Sequence, residues 1–102
     1  MQDPATYTDA FEREHGCTVD EWLMWLPGAA GDSPLSFDGA ATARVRIGDG
    51  SLQLHWQALP QRQIAQVRLP RLRVSYRFDG VSEDARARFM QRFDLYMQRG
   101  GG

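Results

Sequence analysis

The chain reads as an α+β domain, with an antiparallel sheet of three to four strands whose apolar face is covered by helices. The expected order is α-α-β-β-β(-β)-α, a two-layer sandwich, and three observations predict it. The first is a period-two alternation between Ala43 and Phe78. Ala43, Val45 and Ile47 alternate with Arg44 and Arg46, and Leu52, Leu54, Trp56 and Ala58 with Ser51, Gln53, His55 and Gln57. Leu72, Val74, Tyr76 and Phe78 alternate with Arg71, Arg73, Ser75 and Arg77. That period marks strands buried on one face only, and antiparallel sheets are the kind that leave the other face wet. The second is a set of helix caps and helical stripes on either side of this region. The third is size: 102 residues, 42% hydrophobic and 25% charged, suit one domain with a single core.

Taken in order, Asp3-Pro4 looks like an N-cap with proline at the first helical position. Tyr7 and Phe11 would give that first helix its stripe, and Gly16 would end it. Thr18 and Glu21 then form a capping box, with Cys17 and Trp22 placed as a hydrophobic staple. Val19, Trp22, Leu23 and Leu26 line one face of the second helix, and Pro27-Gly28 stops it. Residues 1–26 are thus expected to be an acidic helical hairpin. Residues 27–42, rich in Gly, Ala, Ser and Asp, read as a loop pinned by Leu35 and Phe37. The sheet spans 43–78.

Gly48-Asp49-Gly50 is a tight hairpin signal. Leu59-Pro60-Gln61 reads as the next turn. Ala65, Val67 and Leu69 put apolar side chains at odd positions, whereas after Pro70 they fall at even ones. A bulge in one long strand bent at Pro70 accounts for the flip, with two separate strands over 63–78 as the alternative. Ser82 caps the last helix, 82–99. Ala85, Phe89, Phe93, Tyr96 and Met97 form its stripe, and Gly100 follows it.

The net charge of −1 conceals a strong asymmetry. Residues 1–39 hold eight acids and one base, residues 40–78 seven arginines and one acid, and the rest four of each. Such asymmetry marks either a surface for a charged partner or two parts of one domain that neutralise each other. There is no lysine. One cysteine, Cys17, excludes an internal disulfide and a cysteine metal cluster. The N-terminus lacks a signal-peptide pattern and no window is long and apolar enough for a membrane span, so a cytoplasmic setting is expected.

Two surfaces stand out. A regular sheet would gather Arg44, Arg46, His55, Arg68, Arg71, Arg73 and Arg77 on its polar side, where they could hold an anion or nucleic acid. Against nucleic acid, Trp56, Tyr76 and Phe78 are phased to the buried side, not out where bases could stack. The other surface is Met24-Trp25, on the side of the second helix away from its stripe, an anchor of the kind interfaces use. His15, Cys17 and Asp20 are the only residues that suggest a nucleophile with a base, and no nucleophile motif surrounds them. His15 would be a cation at a helix C-terminus. No metal or cofactor motif is present. The expectation is a non-enzymatic protein-interaction or self-association module with a protein partner or homo-oligomer. The alternative is anion or nucleic-acid binding through the arginine face.

Overall fold

The structure, a computed structural model, describes residues 7–100. The fold is α+β with one antiparallel sheet. Its elements are β1 (Ala10–His15), α1 (Val19–Ala30), β2 (Leu35–Gly39), β3 (Thr42–Ile47), β4 (Gly50–Ile64), β5 (Val67–Asp79) and α2 (Glu83–Gly100). Among the described residues the sheet has five strands in the order β1-β5-β4-β3-β2, not three or four.

The two extra strands replace an expected helix and an expected loop. Residues 10–15 form a strand in which Phe11, Arg13 and His15 turn inward and Glu12 and Glu14 outward. Phe11 pairs with Tyr76, and their rings stack at 4.8 Å. The Tyr7–Phe11 spacing suits a helix, but one aromatic pair is outweighed by a full strand ladder. The Asp3-Pro4 cap lies outside the described residues. In the expected loop, Leu35 and Phe37 pair with Val45 and Ala43 to make an edge strand. Phe37 is 52% exposed, yet its ring stands edge-on to Trp56 at 6.4 Å.

α1 opens on the capping box. The Glu21 amide donates to Thr18 Oγ1 at 3.1 Å, and the Thr18 amide donates to Glu21 Oε1 at 2.9 Å. The helix does not stop at Pro27 but runs to Ala30 and closes on Gly31. Proline normally breaks a helix interior. Here the turn beyond it buries Ala29 and Ala30, and that packing keeps it wound. α2 begins as expected, the Ala85 amide donating to Ser82 Oγ.

The buried residues of both helices and of the sheet form one cluster. Trp22, Leu26, Met90 and Phe93 join Val45, Leu52, Leu54, Leu72, Val74 and Tyr76. Trp22 sits 5.9 Å from Trp56 and 6.0 Å from Phe93, ring to ring. β1 is fastened to α2 by a second contact. Asp94 accepts from Arg13 at 2.5 Å and from the Tyr7 hydroxyl at 2.8 Å. The Arg13 guanidinium lies over the rings of Tyr7, Phe11 and Tyr76, at 5.5, 5.2 and 5.6 Å.

The Gly48-Asp49 hairpin forms as expected, joining Ile47 to Gly50 with Gly48 at φ 58°. The next turn does not fall at Leu59-Pro60-Gln61. β4 continues to Ile64 and turns at Ala65-Gln66, so that Ile64 pairs with Val67. Pro60 is absorbed by a bulge. Between the pairs Leu59–Arg71 and Arg62–Leu69, β4 spends Pro60 and Gln61 against Pro70 alone. Neither proline has an N–H to leave unpaired there. β5 is one strand through Pro70, and residues 63–64 belong to β4.

β1 pairs only as far as His15–Leu72, and β3 only as far as Thr42–His55. Beyond Ala58 and Leu72, β4 and β5 therefore continue as a two-stranded ribbon, here called the arm.

At the other end of the same pair, Gly50 is pressed against β5. A Cβ on it would lie 2.4 Å from the carbonyl oxygens of Asp79 and Gly80. Those are backbone atoms and cannot swing away. Gly50→Ala should destabilise the fold by about 2 kcal/mol or more. Gly16→Ala, with nothing within 4 Å of the new methyl, should change it by no more than about 0.5 kcal/mol. Urea denaturation of both variants checks this, and equal stabilities would contradict the close approach.

Candidate functional site

The outer face of the sheet, opposite the core, can be laid out row by row from the strand registers. One row runs Glu12, Ser75, His55, Thr42 across β1, β5, β4 and β3. A second runs Ala10, Arg77, Gln53, Arg44, Ser36 across all five strands. A third runs Glu14, Arg73, Gln57, and a fourth Asp79, Ser51, Arg46. Arg44, Arg46, His55, Arg71, Arg73 and Arg77 thus share one face, all but the half-buried Arg71 exposed.

Arg68 does not join them. Alternation along β5 turns it to the opposite side of the ribbon, where it pairs with Gln63. The extra residue of the bulge lies in β4, so the phase of β5 never shifts. The apolar flip at Pro70 therefore has another consequence. Val67 and Leu69 fall on the same side as Arg71 and Arg73, together with Ile64 and Arg62.

The face is also less purely basic than the 43–78 segment suggests, because β1 adds Glu12 and Glu14. Arg71 donates from Nε and Nη2 to the two carboxylate oxygens of Glu14, each at 2.9 Å. That bond, with Arg62 and Arg73 nearby, holds the Glu14 carboxyl below its ordinary range. Ser75 Oγ donates to Glu12 at 3.2 Å. Arg44 lies 3.8 Å from Asp38, an exposed pair of little energetic weight. Asp38, Thr42, Gln53, His55, Ser75 and Arg77 line a shallow depression of about 380 Å³. The acidic N-terminal part meets the arginines mainly through β1, with Asp38 on β2 adding its exposed pair to Arg44. Its sequence signal was the Glu12–Glu14 alternation within Phe-Glu-Arg-Glu-His.

The second expected surface divides. Met24 is 68% exposed, but Trp25 is half-buried and packs against the core. Of the two, only Met24 is exposed. Three exposed apolar side chains sit together on the arm, Ile64 and Val67 each 56% and Leu69 40% exposed, whereas the other large ones among the described residues, besides Met24, are Phe37 on β2 and Leu95 and Tyr96 on α2.

Cys17 and His15 occupy positions that oppose nucleophilic chemistry. Cys17 is 5% exposed, and burial pushes its thiol up to about 11, with Glu21 adding to the effect. A buried apolar thiol of that kind is inert at neutral pH. His15 is a strand residue, not a helix-terminal cation. Its Nε2 shares a 2.7 Å hydrogen bond with the Tyr76 hydroxyl. Burial, helped by Arg13, lowers the His15 pKa below its ordinary value of 6.5. Among the described residues no group of three or more His, Cys, Asp or Glu could hold a metal, and no helix is long and apolar enough to cross a membrane. No protein-family model matches the chain, and no curated protein matches it significantly.

The depressed His15 pKa makes stability depend on pH in a definite direction. Above about pH 6.5 the imidazole is neutral in both folded and unfolded chains. As pH falls from 6.5 toward the folded value, the unfolded chain binds the proton first and stability is lost. The stability difference between wild type and His15→Gln should therefore shrink from pH 7.5 to pH 5.5. Denaturation at the two pH values measures it, and a constant difference would remove His15 as a source of acid sensitivity.

Proposed function

We propose that the protein is a non-enzymatic interaction module, serving protein interaction or self-association, whose contact surface is the β4–β5 arm. The observation that carries this is the row of Ile64, Val67 and Leu69, exposed on one side of a ribbon. Aliphatic side chains left in water on a projecting element mark an interface. Arg62 and Arg71 border the row, and arginine is the charged residue interfaces favour. A two-stranded ribbon is marginal by itself, so a bound partner would also stabilise it. Pro60 and Pro70 blunt its edges against strand addition. The contact is therefore through the side-chain face. We read the remainder as a two-layer sandwich that holds this arm, and the exposed Met24 as a secondary contact. A cytoplasmic setting suits its single free cysteine.

A photo-crosslinking residue placed at Val67 should give a discrete adduct in cells making the protein, whereas one at Gln91, exposed on α2, should not. Identical patterns from the two positions, or no adduct, would overturn the arm as the contact surface.

A second reading has its own observation. Arg77 and Arg44 flank Gln53 across three neighbouring strands beside the outer depression. These two arginines, with His55 and Arg73, form a surface for an anion or nucleic acid. On this reading, labelled nucleic acid binds with steep salt dependence, and the Arg44→Glu/Arg77→Glu variant loses most of the affinity. Fluorescence anisotropy decides it: no binding at tens of micromolar in low salt excludes this role for the face.

A further inference from the structure

We propose that the partner of the arm is a second copy of this chain, in a two-fold dimer where each arm lies against the N-terminal half of the other's α1. The inference rests on the arm being the contact surface, and four observations lead to it.

The two parts are complementary in charge. The arm, residues 59–71, holds three arginines and no acid, whereas α1 holds Asp20 and Glu21 and no base. Some of the chain's charges are already paired, Arg13 with Asp94 and Arg71 with Glu14. Among the described residues, Arg62, on the same side of the arm as the apolar row, and Asp20 on α1 form no ion pair.

The two parts are also complementary in apolar surface. Met24 lies one helical turn after Asp20 and is 68% exposed, and Ile64, Val67 and Leu69 form the exposed row of the arm. Methionine adapts readily to an aliphatic surface.

Both parts emerge from the same end of the sheet. The arm starts where β1 stops pairing, at His15–Leu72. α1 starts at Val19, just beyond that same His15. A two-fold axis at this end brings each arm to the other copy's α1 and makes the contact twice, as closed dimers do.

Finally, a single copy cannot make the contact with itself. The apolar row faces the outer side of the sheet, with Arg71 and Arg73, whereas α1 packs on the core side. The complementary surfaces of one chain point away from each other, so only a second chain can join them.

Sedimentation velocity on the intact protein tests this. The wild type should sediment as a dimer of twice 11.6 kDa at tens of micromolar in low salt and dissociate as salt rises. Arg62→Glu and Asp20→Arg should each raise the dissociation constant at least about tenfold, with circular dichroism showing both still folded. Mixing the two variants should restore a dimer, because the mixed pair has one native contact and one with both charges exchanged. A wild type that stays monomeric at 200 micromolar (roughly an upper working concentration) overturns the proposal. So does a dimer indifferent to both variants, or a mixture that stays monomeric. A monomer that binds duplex DNA through Arg62 and Arg68 would also overturn it, since a basic ribbon can enter a major groove. If the wild type is monomeric but the Val67 crosslink to another protein persists, the arm remains an interaction surface and only self-association fails. If the crosslink fails too, both fall.

Discussion

Everything in this fold hangs on the register between β4 and β5. Their pairing runs from Ser51–Asp79 to Ile64–Val67 and is the longest in the molecule. Because side chains alternate with period two, a slip of one residue would turn Leu52, Leu54, Trp56, Val74 and Tyr76 out and the polar row in. The hairpins at either end resist such a slip. At the Gly48 end, Gly50 admits no side chain against the carbonyls of Asp79 and Gly80. Near the arm, Pro60 and Gln61 against Pro70 fix a bulge that a shifted register would move onto residues needing their N–H groups. β1 and β3 each pair with one strand of this central pair, β2 joins the sheet through β3, and the helices bury their apolar faces on the side it defines.

The charge asymmetry of the sequence takes on a spatial meaning from this frame. Residues 1–39 and 40–78 are not two separate charged halves. β1 is inserted beside β5, so Glu12 and Glu14 enter the arginine surface as neighbours of Ser75 and Arg73. Arg13, between them in sequence, turns the other way, its guanidinium over three aromatic rings and paired with Asp94. One short strand thus does two electrostatic jobs on its two sides: it moderates the outer face and ties the sheet to α2. Such a pair, partly shielded from water, holds more firmly than the exposed Arg44–Asp38 pair.

Where the sequence was legible, a local pattern and the tertiary environment agreed. Val45, Leu52–Trp56 and Leu72–Phe78 alternate cleanly, and Thr18-Glu21 and Ser82 cap helices with the residues caps require. Where it was not, the two levels competed. Phe11, Arg13 and His15 form an inward row, but two members are charged or ionisable, so the row does not look apolar. Their burial depends on Asp94 and Tyr76, which lie far along the chain. β2 is too short to alternate visibly, and only the pairing of Leu35 and Phe37 with β3 makes it a strand. The arm's turn, Ala65-Gln66, carries no turn residue, and Ala65 sits at φ 54° where glycine would be favoured. Pro60 resembled the turn because a proline in a strand pair requires a bulge that sequence alone does not display. The arginine face was legible for six of its seven residues. Arg68 was lost to the same bulge, because its side depends on which strand carries the extra residue.

That bulge also bears on why the arm is apolar on the side it is. Had the extra residue been in β5, Val67 and Leu69 would turn toward the helix side, as a continuation of the core row Leu72–Val74–Tyr76. With the extra residue in β4, they continue the outer row of Arg71 and Arg73 instead. The ribbon therefore carries aliphatic side chains on the side the helices cannot reach, and it holds them there with two prolines and a turn residue at a positive φ. Each of these features costs stability in an isolated ribbon. A chain that only needed to close β4 onto β5 could turn soon after His55, where pairing with β3 stops. The length of the arm, the direction of its apolar row and its blunted edges are what the proposed contact with another molecule would account for together.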